Sequence, residues 1–400
     1  MGEIKKGNYQ FVRKIISQPV DHSNPDGEKF DQRVDILIPD GAPSNAPVFF
    51  HLGNEQELNE EKLVILYNAY GKRNDLIFVQ AEHRGYGKSL SRDSDQSVPS
   101  YVRIDQALAD YHEVVRVFKE DFNGPWIGVG YSYGGGLVIN FAVKYSKDIK
   151  AVLCSSGVID WPFVIDAYDC QMRINFGEKL YNGLVKHINN LEPKELFDQN
   201  WLEREFLIAV CHGLAQMEEL TRVQSTIEEK VNLPTQKLLE VLHKIDNEMA
   251  AGEGWRYAIS NAKFTLSREE ALSGKYTWRV WRYQQCTETG VFEISTKPNG
   301  IFTRTFDDFR EECIALFHEE PRAAKGLEWK PRVMLKSLKI PLIYVCGGID
   351  PWKGLGLEPD YKIDKGKYFH YPEGRHCPEK AKPRRGKQVI EELLRHVKMK

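Results

Sequence analysis

Two hydrophobic patterns alternate along the first part of the chain. Continuous apolar runs at residues 47–52 (Pro47-Val48-Phe49-Phe50-His51-Leu52), 76–81, 126–129 and 151–155 read as strands covered on both faces. Between them, residues 105–118 place Leu108, Tyr111, Val114, Val115 and Phe118 on one side of a helix, and Leu137, Val138, Phe141, Ala142 and Tyr145 recur at helical spacing. Ahead of these, residues 8–39 read as an extended lead-in, with a turn at Gln18-Pro19-Val20-Asp21-His22 and a strand-like alternation over residues 33–38. Strands alternating with helices predict a parallel α/β sheet.

From about Asp160 the pattern changes to helical stretches over residues 203–217, 225–230 and 235–249, with few strand-like runs. Strand pattern returns at 341–346 and 367–371, and a helix over 387–397 closes the chain. The expected organisation is a catalytic core from residues 1–159 and 335–400, with residues 160–334 inserted as a helical cap. No internal repeat or low-complexity tract interrupts it.

Composition changes this picture little. Four hundred residues with 42% hydrophobic content can bury a large core. A prior of about 150 residues per domain fits two or three domains, or one α/β core with a large insertion. Lys+Arg 55 against Asp+Glu 57 gives a net charge of −2, so no basic field argues for nucleic acid or an anionic membrane. No apolar segment follows the N-terminal Met1-Gly2-Glu3-Ile4-Lys5-Lys6, which makes the chain cytoplasmic as written, or secreted or lysosomal if a signal peptide has been removed. Seven cysteines, scattered and without C-x-x-C spacing, argue against zinc and against a dense disulfide framework, leaving room for one or two bridges. The pattern calls for no cofactor and no metal, and a homodimer is left open.

The candidate chemistry centres on Gly130-Tyr131-Ser132-Tyr133-Gly134, where an apolar strand runs into a helix. Such a turn lifts a serine hydroxyl out of the sheet, and its glycines are expected to avoid collisions that a side chain at Gly130 or Gly134 would cause. The bland reading is a glycine-rich phosphate-binding turn or a chance match. A serine becomes a nucleophile only when an imidazole takes its proton and an acid orients the imidazole. Ser132, Asp350 and His376 follow one another in that chain order, each at the end of a predicted strand. About half the chain separates Ser132 from Asp350, which is where a cap would be inserted. Asp350-Pro351 could instead be a plain turn, and His370 and His22 compete with His376. The oxyanion donors are expected at the Tyr133 N–H and in the loop Gly53, Asn54, Glu55. Glu55 is a candidate partner for a substrate ammonium, with bracing of its own loop as the alternative. The segment His83-Arg84-Gly85-Tyr86-Gly87 reads as a loop bracing the serine turn.

With these residues in place, the chain resembles the prolyl carboxypeptidase and dipeptidyl peptidase II family of serine peptidases, with some similarity to bacterial prolyl tripeptidyl aminopeptidases. The resemblance rests on Gln18-Pro19-Val20-Asp21-His22, Phe30-Asp31-Gln32-Arg33, Gly53-Asn54-Glu55, Glu82-His83-Arg84-Gly85-Tyr86-Gly87, Gln106-Ala107-Leu108-Ala109-Asp110-Tyr111, Gly130-Tyr131-Ser132-Tyr133-Gly134-Gly135, Trp281-Arg282-Tyr283-Gln284-Gln285-Cys286-Thr287-Glu288 and Asp350-Pro351-Trp352, in that order along nearly the whole chain. It implies an α/β-hydrolase core with a mostly parallel sheet and an inserted helical cap. It also implies cleavage after proline in short peptides, with Trp352, Trp281, Tyr283 and Gln284 near the substrate. An α/β-hydrolase esterase of other specificity and a catalytically dead hydrolase fold used for binding are the rival readings.

Overall fold

The computed structural model describes residues 3–90, 99–162, 164–253, 279–297, 299–321 and 330–397. Of the expected helical cap, residues 254–278 lie outside the described residues.

One nine-stranded sheet carries the molecule, in the order β1-β2-β3-β5-β4-β6-β7-β8-β9. The lead-in forms β1 (Glu3–Lys6) and a long antiparallel hairpin of β2 (Tyr9–Pro19) and β3 (Lys29–Pro39), which joins the rest through an antiparallel β3–β5 pairing. The remaining strands, β4 (Val48–Leu52), β5 (Ile77–Ala81), β6 (Trp126–Tyr131), β7 (Ala151–Ser155), β8 (Leu342–Gly347) and β9 (Gly366–Tyr371), pair in parallel. This is the α/β-hydrolase fold, and the sheet, turn and helix pattern of the sequence carried it.

Alternation along each strand sorts the core into two layers. Val48, Phe50 and Leu52 of β4 face α2 (Ile104–Phe118) and α3 (Tyr133–Lys144), while Phe49 faces α1 (Glu60–Ala69) and the C-terminal helix Pro383–Val397. On β6 the α3 side is made by Gly128 and Gly130. A Cβ on Gly128 would lie 2.9 Å from Val138 and one on Gly130 would lie 2.0 Å from the Gly134 carbonyl oxygen, so glycine lets the helix seat against the strand. The expectation for Gly134 is corrected: a Cβ there would meet Asn54 and Leu52 at 3.5 Å, an ordinary contact, because that position faces the loop after β4 and not a packed strand. The tight position is Gly135, whose Cβ would lie 2.5 Å from the Gly157 Cα.

Between β7 and β8 the chain forms an inserted helical region. It contains α4 (Asp166–Phe176), α5 (Glu178–Asn189), α6 (Gln199–Gln216), α7 (Leu220–Lys230) and α8 (Thr235–Glu253). Later come α9 (Arg279–Gln284), running into a π-turn at Gln285–Thr289, and α10 (Phe306–Phe317). Buried apolar clusters of its own hold this region together. A disulfide, Cys286–Cys313, staples the π-turn to α10, and Glu312 beside it takes charge-assisted bonds from Arg282 at 3.1 Å and Arg304 at 2.6 Å. No described helix is long and apolar enough to cross a membrane, and the described residues hold no cluster of His, Cys, Asp and Glu fit for a metal ion.

His51, on the α1 side of β4, packs its ring 5.0 Å from the Tyr131 ring, with both nitrogens buried and unpartnered. Burial pushes its pKa down to about 3 from an ordinary 6.5. The unfolded chain therefore binds a proton at His51 below pH 6.5 and the folded chain does not, so stability falls as pH drops from about 6.5 toward 3. Exchange for an apolar ring removes that linkage and leaves no unsatisfied nitrogen. His51→Phe is expected to unfold at an equal or higher temperature than wild type at pH 7, and to lose less of its thermal midpoint at pH 5. A pH dependence parallel to wild type would contradict this assignment.

Candidate active site

Ser132 sits between β6 and α3 with φ 54° and ψ −125°, a left-handed backbone that a side chain seldom adopts. The strain is held by hydrogen bonds from both sides of the turn: Ser132 N–H donates to the Ser155 carbonyl at 3.0 Å, and the Ser132 carbonyl accepts from Gly135 N–H at 2.8 Å. The serine remains partly exposed while its neighbours Tyr131 and Tyr133 are buried. The amide of Tyr133 opens α3 and is one of the helix's N-terminal donors.

Asp350 follows β8 and His376 follows β9, and the two side chains meet: His376 Nδ1 lies 2.9 Å from Asp350 Oδ2. Asp350 is fully buried, and its Oδ1 accepts the Trp352 N–H at 2.9 Å. His376 Nε2 is buried and makes no hydrogen bond, to Ser132 included. The two loops run together because Gly347 and Gly348 carry no side chains: a Cβ on Gly347 would stand 2.2 Å from the Arg375 carbonyl oxygen, and one on Gly348 would stand 2.3 Å from that of Pro372. Backbone bonds from Gly348 to Tyr371 at 2.8 Å and from Ile349 to Gly374 at 3.1 Å extend the β8–β9 ladder past the strand ends.

Nucleophile turn and histidine loop are joined through the end of β7. Ser156 Oγ accepts the Cys377 N–H at 2.8 Å, next to the Ser155 carbonyl that holds Ser132. Ser155 Oγ donates to buried Glu379 at 2.9 Å, and Tyr70 OH donates to the other Glu379 oxygen at 3.2 Å. Burial raises the Glu379 carboxyl above its ordinary range. These contacts were invisible in the sequence. Ser155-Ser156 at a strand end was the available signal, and it lacks a distinctive spacing.

His22 and His370 are elsewhere. His22 Nε2 lies 2.8 Å from Asp110, which also accepts from Nε and Nη2 of buried Arg84, and His370 is exposed on β9. His83 Nδ1–H donates to the Arg84 carbonyl at 2.7 Å and Nε2 lies 3.5 Å from the Tyr133 hydroxyl, so the loop at 83–87 braces the serine turn. Its pKa is pushed down to about 4 by burial.

Asn54 lies against Gly134, Gly53 packs on the backbone of residues 81–83, and the Gly53 carbonyl accepts the Tyr111 hydroxyl at 2.7 Å. Glu55 next to them keeps Oε2 buried and unpartnered, and burial raises its carboxyl. Lys62 Nζ bonds Gln56 Oε1 at 2.9 Å and the Glu57 carbonyl at 2.8 Å, which fixes this loop without neutralising Glu55 directly. Of the residues on α9, Gln284 reaches the Tyr133 hydroxyl at 2.9 Å and Trp281 stacks edgewise on the Tyr133 ring at 5.2 Å. Tyr283 does not join them. It points into the helical region's own core, against Phe317 at 5.2 Å, because at 100° per residue it faces away from the side shared by positions 281 and 284.

The helical insertion also grips the loops bearing Asp350 and His376. The last carbonyls of α6 lack helical partners. Ala215 O accepts from Arg375 Nη1 at 3.0 Å and from Asn175 Nδ2 at 3.0 Å, and Gln216 O accepts the His376 N–H at 3.1 Å. Asn175 Nδ2 bonds the Ile349 carbonyl too, at 2.9 Å, beside Asp350.

Comparison with known proteins agrees with this geometry. The family model described as serine carboxypeptidase S28 matches residues 18–250 and 215–387. The chain belongs to the S28 serine peptidase family. Lysosomal Pro-X carboxypeptidase from Bos taurus is 24% identical over 409 residues, covering 88% of this chain and 79% of the relative. A probable serine protease of Arabidopsis thaliana is 22% identical, covering 91% and 81%. Prolyl tri/tetrapeptidyl aminopeptidase from Streptomyces mobaraensis is 27% identical over 145 residues, covering 36% of this chain and 28% of that enzyme.

The Asn175 clamp makes a measurable demand. Asn175→Ala removes the hydrogen bond that ties the insertion to the Asp350 loop and a second that holds α4 to the end of α6, at a cost of about 1–3 kcal/mol. Amide exchange should quicken in residues 347–352 while strand β6 keeps its protection. Unchanged exchange in 347–352 would show that the loop is held without Asn175.

Proposed function

We propose that this S28 peptidase is an exopeptidase that cleaves short peptides on the carboxyl side of proline through an acyl-enzyme. The observation that carries the reading is the 2.9 Å His376–Asp350 bond, which leaves a buried Nε2 uncommitted on a loop that Ser155 and Ser156 tie to the strained turn of Ser132. In this reading Ser132 Oγ attacks the proline's own carbonyl carbon and His376 Nε2 takes its proton. Asp350 keeps the Nδ1–H tautomer and stabilises the imidazolium. The developing oxyanion is met by the Tyr133 amide and by the loop of Gly53 and Asn54. His376 then returns the proton to the leaving amine, and a water activated the same way releases the acid.

Proline selectivity is assigned to shape and aromatic contact, since a pyrrolidine ring offers few polar handles. Trp352, two residues past Asp350 with its ring 4.7 Å from Tyr168, supplies such a wall. Similarity to a Pro-X carboxypeptidase and to a prolyl tri/tetrapeptidyl aminopeptidase supports proline and chain-end recognition. Residues 160–334 act as the cap that restricts access to chain ends. The buried Cys286–Cys313 bridge favours an oxidising compartment, hence the exported or lysosomal alternative.

Ser132→Ala is expected to keep its fold and to lose roughly a thousandfold or more in activity, and Asp350→Asn to lower kcat by several orders while still binding substrate. A fluorophosphonate probe should label wild type and not Ser132→Ala. Hydrolysis of a p-nitrophenyl ester without any proline-anilide cleavage would favour the esterase reading, and failure of wild type to label would indicate a binding protein.

Glu55 is assigned to the substrate's free ammonium, which would complete its unpartnered oxygen. Two X-Pro peptides differing only in N-terminal acetylation should then differ at least tenfold in kcat/KM, and Glu55→Gln should shrink that ratio. Equal cleavage of both by wild type, with no change in Glu55→Gln, would refute amine recognition.

A further inference from the structure

Three of the buried polar atoms without a hydrogen-bond partner belong to three separate segments: Glu55 Oε2 after β4, His376 Nε2 after β9, and His212 Nε2 on α6. Two of them stand on elements that are directly joined, since the Gln216 carbonyl at the end of α6 accepts the His376 N–H at 3.1 Å. Buried unpartnered polar atoms are few in folded proteins. Their occurrence on joined elements points to a polar guest that completes them.

His212 lies one helical turn before Gln216, whose carbonyl holds the His376 N–H, so its side chain shares the face of α6 turned to the histidine loop. Its ring is set among Tyr168 at 4.7 Å, Trp352 at 5.5 Å and Phe302 at 6.0 Å. Its own carbonyl is already used by the Tyr168 hydroxyl at 2.9 Å and by Gln216 Nε2 at 3.3 Å. The result is an aromatic wall with one polar atom in it. Burial pushes the imidazole down to about 4, so at neutral pH it offers one donor and one acceptor nitrogen and no charge.

An X-Pro unit has matching chemistry. The proline nitrogen carries no hydrogen, so beside its apolar ring the segment presents the carbonyl of the preceding residue as an acceptor and no donor of its own. Resting on the proline-peptidase reading above, we propose that His212 is a specificity residue, its Nε2 donating a hydrogen bond to the peptide carbonyl that precedes the proline. The wall made by Trp352 and its neighbours takes the ring, and His212 takes the acceptor beside it.

The test compares wild type, His212→Phe and His212→Gln on an X-Pro-anilide, on a small unspecific ester and in the rate of fluorophosphonate labelling. Phe keeps a flat ring and removes the nitrogen. It should lower kcat/KM on the anilide by about 10- to 100-fold, with ester hydrolysis and labelling within about threefold of wild type. Gln restores a donor and should recover part of the loss. Should Phe not be accommodated, His212→Leu carries the same comparison. Anilide cleavage at the wild-type rate overturns the proposal, as does a parallel fall in labelling and ester hydrolysis, which would mean that His212 acts by holding His376. A wild type that neither labels nor cleaves the anilide overturns the peptidase reading itself, and this proposal with it.

Discussion

The corner at the end of β7 is the constraint on which the site depends. One residue pair, Ser155 and Ser156, fixes the nucleophile turn through a main-chain carbonyl and the histidine loop through a side-chain hydroxyl, at 3.0 Å and 2.8 Å. Both attached residues have left-handed backbones, φ 54° at Ser132 and φ 53° at Cys377, and Ser156 itself has φ 44°. Three strained residues in one place persist only if their surroundings over-determine them. Here that task falls to backbone bonds from the neighbouring strands and to the buried Glu379, Tyr70 and Ser155 contacts beneath.

Much of this was legible from residue order. The apolar runs gave the parallel strands because strands buried on both faces need no alternation. The meeting of Asp350 and His376 was legible because each stands at the end of a strand-like run, and the ends of neighbouring parallel strands converge. The exact roles of glycines were less so: Gly130 behaves as a turn of this kind requires, whereas Gly134 has room and Gly135 does not, which depends on where β7 and Gly157 run. Within one motif Trp281 and Gln284 reach Tyr133 while Tyr283 packs against Phe317, because a helix sends adjacent residues to different sides.

What the sequence withheld is contact between distant segments. Asn175, His212 and Gln216 lie in helices whose periodicity reports only that one side is buried. Nothing local says that the buried side of α6 meets the loop after β9, since that pairing joins residues 160 positions apart at Arg375 and Ala215. Likewise the partner of Cys286 among seven cysteines follows from packing and not from spacing.

The grip of α6 on the loops bearing Asp350 and His376 bears on how this fold can be altered. A lid joined only by its two connecting strands of chain could be exchanged between relatives as a module, carrying specificity with it and leaving the chemistry behind. Here the same segment supplies the Gln216 carbonyl that takes the His376 N–H and the Asn175 amide that bonds Ile349 beside Asp350. Transplanting or trimming it therefore alters turnover and preference together, unless the recipient preserves the docking of the helix end at residues 215–216. Divergence in this lineage is accordingly easier by side-chain exchange on a fixed insertion than by wholesale replacement of it.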